Sequence, residues 1–120
     1  MIPDYLFYNS FPTGSNYICY PPVTNTDIDY MFLVYNIEEA EDVLIAEGWS
    51  KCGADGYAAN GWCAYRKDNL NALLTDDQEH YDKFEAATEL AKKRNLCNKE
   101  DRVKLFNLIC GKQHVKGKGF

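Results

Sequence analysis

Asp27 and Asp29 stand one residue apart at the mouth of the run DIDYMFLVY, residues 27–35, which is nearly all apolar or aromatic after Asp29. Successive side chains of a strand point to opposite faces, so the two carboxylates project together, about 6 to 7 Å apart, while Ile28 turns away into apolar packing. Like charges so placed repel unless a cation lies between them. Magnesium or manganese is the natural neutraliser, because hard oxygen ligands suit both ions and water and phosphate oxygens complete the octahedron. Such a site serves phosphoryl or nucleotidyl transfer, where metal ions hold a triphosphate and lower the pKa of an attacking hydroxyl. The bland alternative is a loop residue followed by a solvent-facing edge residue.

Gly14-Ser15 offers the complementary half. A glycine lets the backbone approach a phosphate closely, and the serine hydroxyl with nearby N–H groups can hold its oxygens. An ordinary turn uses the same residue types. Arg66 and Lys67, in the link RKDN, could reach a triphosphate or an RNA backbone from a hairpin tip, or form a solvated turn. Tyr5, Tyr8, Tyr17 and Tyr20 either stack on a base or supply core and interface packing. His80 and His114 lack any partner spacing for zinc or a nucleophile and read as surface residues.

The elements that must carry these groups are legible in part. Residues 2–12, interrupted by Pro3 and Pro12, suit one or two turns and a short strand. Residues 27–35 read as a central strand covered on both faces. In NIEEAEDVLIAEG, Asn36 caps a helix, Glu39 takes the reciprocal position, and Gly48 stops it. Residues 48–61 hold four glycines and read as loop around a short strand. WCAY (62–65) and LNALLT (70–75) suit a hairpin. Asp76 with Glu79 opens a helix whose stripe is Tyr81, Phe84, Thr88 and Ala91, closed by Lys92, Lys93 and Arg94. Asn98 with Asp101 opens another, with Val103, Phe106 and Ile109 on one face and Gly111 at its end. The expected fold is α/β in the α+β sense: a mixed sheet packed against helices, with helices at the C-terminal end.

The 120 residues fit a single domain, 1–111, followed by a basic tail, 112–120. The tail carries three lysines and no acid, which leaves −8 of charge on the rest against −5 overall. That body repels a phosphate backbone, so nonspecific nucleic-acid binding by charge is disfavoured. No apolar run of 18 residues and no secretory leader are evident, and the reading is a cytosolic protein without a membrane partner. Five cysteines, odd in number and without Cys-x-x-Cys spacing, argue against a disulfide framework or a zinc ribbon and read as reduced, mostly buried thiols.

PTGS followed after eleven residues by DIDYMFLV resembles the signature of the polymerase-beta-like nucleotidyltransferase superfamily. The segment YRKDNLNALLTDDQEHYDKFEAATELAKKRNLCNKEDRVKLF is similar to small nucleotidyltransferase-like proteins of tailed bacteriophages. The resemblance implies a minimal nucleotidyltransferase-like sheet in a host-cell cytoplasm. It makes Gly14 and Ser15 triphosphate-holding positions and Asp27 and Asp29 catalytic ligands of Mg2+ or Mn2+. The family commonly has a third carboxylate on a later strand. Here the matching strand is LNALLT, and its inward polar residue is Asn71, an amide that cannot accept a proton at neutral pH. Asp68 is a poorly placed substitute, and the short N-terminus omits most of the helix that usually precedes the Gly-Ser strand.

Two functions follow from these residues. One is transfer of a nucleoside monophosphate from a nucleoside triphosphate to a hydroxyl on RNA, protein or a small molecule. The other is a catalytically weak or inactive protein of the same fold that inhibits a host or defence factor by binding it, its acidic body occupying a basic groove. The hairpin edge also allows a homodimer.

Overall fold

Residues 28–34 form an interior strand of the sheet, next to its edge, because almost every side chain after Asp29 is apolar and both faces of the strand demand cover. The computed structural model describes residues 2–21, 23, 27–51 and 62–110. Among them, a 3-10 turn (Asp4–Leu6) leads into β1 (Phe7–Thr13), α1 (Gly14–Ile18), β2 (Ile28–Val34), α2 (Ile37–Ala46) and β3 (Ser50–Lys51). The chain continues through β4 (Trp62–Lys67), β5 (Leu70–Thr75), α3 (Gln78–Lys93) and α4 (Lys99–Cys110). The described strands form one sheet in the order β1-β2-β5-β4-β3, with β2 and β5 parallel and the other neighbours antiparallel. The fold is α+β. The expected tail, His114, Gly111 and most of the glycine-rich loop lie outside the described residues.

Strand alternation divides the core in two. Phe11, Met31, Leu33, Ala64 and Leu73 face α3 and α4, where Phe84 meets Phe106 edge-on at 4.9 Å between centroids. Phe32, Val34, Tyr65, Ala72 and Leu74 face the other way, onto Ala40 and Leu44 of α2 and onto Trp49. Truncating a side chain as enclosed as Leu44 to alanine costs about 2–5 kcal/mol.

Local signals set the helix ends. The Asn36 side chain accepts from Glu39 N at 2.9 Å, and Gly48, at φ +94°, lets the chain leave α2 in a conformation that L side chains resist. In α3 the cap is Asp77, which accepts from the amides of Glu79 and His80, rather than Asp76. Its stripe is buried as expected, with Ala87 added.

Three expectations need correction. His80 is not a surface residue: it is 7 % exposed, and its ring packs against Phe84 at 5.8 Å. Arg66 and Lys67 are not at the hairpin tip, because β4 runs through both, opposite Asn71 and Leu70. The turn is made by Asp68 and Asn69, and Asp68 at φ +56° takes the left-handed conformation that aspartate tolerates better than most residues. In α4, Leu105, Phe106 and Cys110 are buried, while Val103 and Ile109 are only half-buried.

Candidate functional site

The strand registers build a polar row across one end of the sheet. Thr13 of β1 lies opposite Asp29 of β2, Asp29 opposite Asn71 of β5, and Asn71 opposite Arg66 of β4. Alternation from Phe11, Met31, Leu73 and Ala64 puts all four on the face that looks toward α3 and α4. Asp27, just before β2, joins them through an ion pair with Arg66.

Gly14 begins α1 at φ +77°, directly against this row. A Cβ built there would lie 2.0 Å from Asp29 Oδ2, so the bend and the carboxylate touch. Thr13 is anchored by a hydroxyl–hydroxyl bond of 2.8 Å to Thr88, whose own hydroxyl reaches the Phe84 carbonyl at 2.9 Å. The row is thus held to the middle of α3. Ser15 follows in the first turn of α1, half-buried.

Burial pushes the Asp29 carboxyl up to about 6. A hydrogen bond with Asn71 works against that rise, the Asp27 charge adds to it, and the guanidinium groups of Arg66 and Arg102 oppose it. Asp29 Oδ1 and Asn71 Oδ1 are both buried without a hydrogen-bond partner among the described residues. Two orphaned acceptors on neighbouring strands fit a hard cation in the way donors would not, and this donor set of two carboxylates and one amide oxygen suits Mg2+ or Mn2+. Among the described residues, no group of three His, Cys, Asp or Glu side chains converges on a metal position.

A cavity of about 290 Å³ opens beside the row, lined by Thr13, Asn16, Tyr17, Tyr20, Asp29 and Lys92. Its Tyr17 wall is held from α3: the hydroxyl donates to Glu89 Oε2 at 2.8 Å, Lys92 Nζ donates to the Tyr17 carbonyl at 2.8 Å, and the ammonium sits 4.2 Å from the ring centroid. The hydrogen bond to Glu89 and partial burial raise the Tyr17 pKa.

The structure therefore brings Gly14, Asp27, Asp29, Asn71 and Arg66 together. It places Lys67 on the opposite face, where Nζ donates to the Glu47 carbonyl at 2.8 Å. Asp68 sits in the turn beside the start of β2, where Ile28 N donates to the Asn69 carbonyl. The tyrosines divide: Tyr17 and Tyr20 border the cavity, whereas Tyr5 and Tyr8 stand at the other end of β1, Tyr8 against Tyr35 at 4.0 Å between centroids. Sequence reading missed Lys92 as a wall of the cavity and Arg102 as a charge acting on Asp29. Arg102 donates to the Leu96 and Cys97 carbonyls, a non-local arrangement that no spacing announces.

No protein-family model, no curated protein and no solved structure matches the chain.

Among the described residues, no helix is long and apolar enough to cross a membrane.

Proposed function

We propose that this chain is a metal-dependent nucleotidyltransferase, moving a nucleoside monophosphate from a nucleoside triphosphate to a hydroxyl on RNA, protein or a small molecule. The contact between Gly14 and Asp29 carries the reading, because it sets the glycine bend directly against a half-buried carboxylate whose enclosed Oδ1 has no hydrogen-bond partner among the described residues. Asp27, Asp29 and the Asn71 amide oxygen would hold Mg2+ or Mn2+, which supplies charge neutralisation and acidifies a hydroxyl. Gly14 gives phosphate access to the main chain, Ser15 offers a hydroxyl, and Arg66 offers a planar pair of donors. The cavity beside Tyr17 and Lys92 is the place for the nucleoside. Asn71 takes no proton, so transfer is slow and accelerates as hydroxide becomes available. Work in the cytoplasm of a host cell belongs to the same proposal.

The test is incubation with each alpha-labelled triphosphate, magnesium or manganese, and candidate acceptors. Label should move in the wild type and stop in the Asp27→Ala/Asp29→Ala variant. Transfer that survives the double substitution would refute the assignment.

One observation favours a second reading. Arg66 already pairs with Asp27, so the acidic pair is partly compensated from within. A protein of this kind acts by binding a host factor, with the exposed Tyr5, Tyr8 and Tyr35 as the contact surface. It retains biological activity in the double aspartate variant, whereas the enzyme does not.

A further inference from the structure

The end of α1 and the α3–α4 corner are tied through one side chain. Asn95 Oδ1 accepts from Tyr20 N at 2.8 Å, and its Nδ2 donates to the Tyr20 carbonyl at 3.2 Å. The same Oδ1 accepts from Cys97 Sγ at 3.4 Å. One oxygen thus holds the Cys97 thiol beside the backbone of the residue that follows Cys19, close enough for the Cys97 side chain to bear on the Cys19 thiol. Cys19 is 2 % exposed, Cys97 is exposed, and neither is in a disulfide.

We infer that Cys19 and Cys97 form a redox modification site, a dithiol that a small disulfide oxidant such as oxidised glutathione converts into a reversible Cys19–Cys97 bond. The Cys97 thiolate attacks one sulfur of the oxidant, forming a mixed disulfide and releasing one glutathione. Cys19 then loses its proton, and its sulfur attacks Cys97 Sγ, forming the protein disulfide and expelling the second glutathione. Two protein thiols are oxidised and one oxidised glutathione is reduced to two thiols.

The order follows from access. Cys97 meets the oxidant from solvent, whereas Cys19 is covered and its thiol is pushed up to about 11, first by burial and then by the Cys97 side chain. The positive Arg102, held by the carbonyls of Leu96 and Cys97, favours the Cys19 thiolate once the mixed disulfide has formed. The bond staples the end of α1, the helix that starts at Gly14, to the α3–α4 corner. Bridging positions so distant in sequence restricts the unfolded chain.

The reduced full-length protein is treated with oxidised glutathione, quenched with iodoacetamide, digested and mapped by mass. The expected product is a Cys19–Cys97 bridged peptide, two fewer free thiols than the five of the reduced chain, a rise in melting temperature, and reversal by dithiothreitol. Cys97→Ser, a surface change that preserves folding, removes the bridge and the melting shift, while Cys110→Ser leaves both. Arrest at a glutathione adduct on Cys97 with Cys19 still alkylatable would overturn the inference. So would a bridge from Cys97 to Cys52, Cys63 or Cys110. None of these outcomes depends on nucleotide transfer.

Discussion

Gly14 and Asp29 occupy each other's space: a Cβ on residue 14 would stand 2.0 Å from Asp29 Oδ2. Gly14→Ala therefore meets both a positive φ and a collision. It should destabilise the fold by roughly 2–4 kcal/mol and abolish label transfer. Gly48 is the internal control. Its φ is also positive, but the nearest atom to an added Cβ is Lys67 Cε at 4.0 Å, so Gly48→Ala should cost only about 1 kcal/mol. Urea unfolding of the two variants measures the difference, and equal costs would mean that no collision exists.

Asp29 links stability to pH. Its folded pKa, raised to about 6 from 3.8, means that the metal-free folded state binds more protons than the unfolded state between those values. Stability from this group therefore falls as pH rises from about 4 to 6 and stays lower above that. Asp29→Asn should remove the dependence and stabilise the metal-free protein at pH 7 by on the order of 2–3 kcal/mol. Thermal unfolding across pH 4–8 checks it, and unchanged pH dependence in the variant would contradict the burial argument.

Arg66 is paired but half-exposed, as is Asp27. Arg66→Ala should change stability by less than about 1 kcal/mol while lowering transfer roughly ten- to a hundredfold. Parallel denaturation and label-transfer measurements separate the two effects.

The Thr13–Thr88 pair holds the row to α3. Thr88→Val leaves the buried Thr13 hydroxyl without that partner and should cost about 1–3 kcal/mol, of which the double change Thr13→Val/Thr88→Val should recover a substantial part. A double-mutant cycle in urea reads the recovery; strict additivity would mean that the hydroxyls are independent.

What could be read from the sequence was local. Asn36, Glu39 and Gly48 bound α2 because capping and left-handed exits depend on a few adjacent residues. The apolar run after Asp29 marks β2 for the same reason. The pairing of Asn71 with Asp29 depends on β2 and β5 lying side by side, a long-range register that no local signal carries. The cap expected at Asp76 falls one residue later, at Asp77, whose side chain accepts from the Glu79 and His80 amides. A lone histidine carries no periodicity, so the burial of His80 against Phe84 was not legible. The placing of Arg102 on the Leu96 and Cys97 carbonyls, and of Cys97 beside Tyr20 through Asn95, depends on how α3 turns into α4, which no spacing encodes.

Paramagnetic broadening by Mn2+ tests the cation site most directly, read on the backbone NMR signals of the metal-free protein. The signals of Gly14, Asp27, Asp29 and Asn71 should broaden first at low Mn2+, recover when excess Mg2+ competes, and be spared in Asp29→Asn. Broadening centred elsewhere, or unchanged in that variant, would contradict the account.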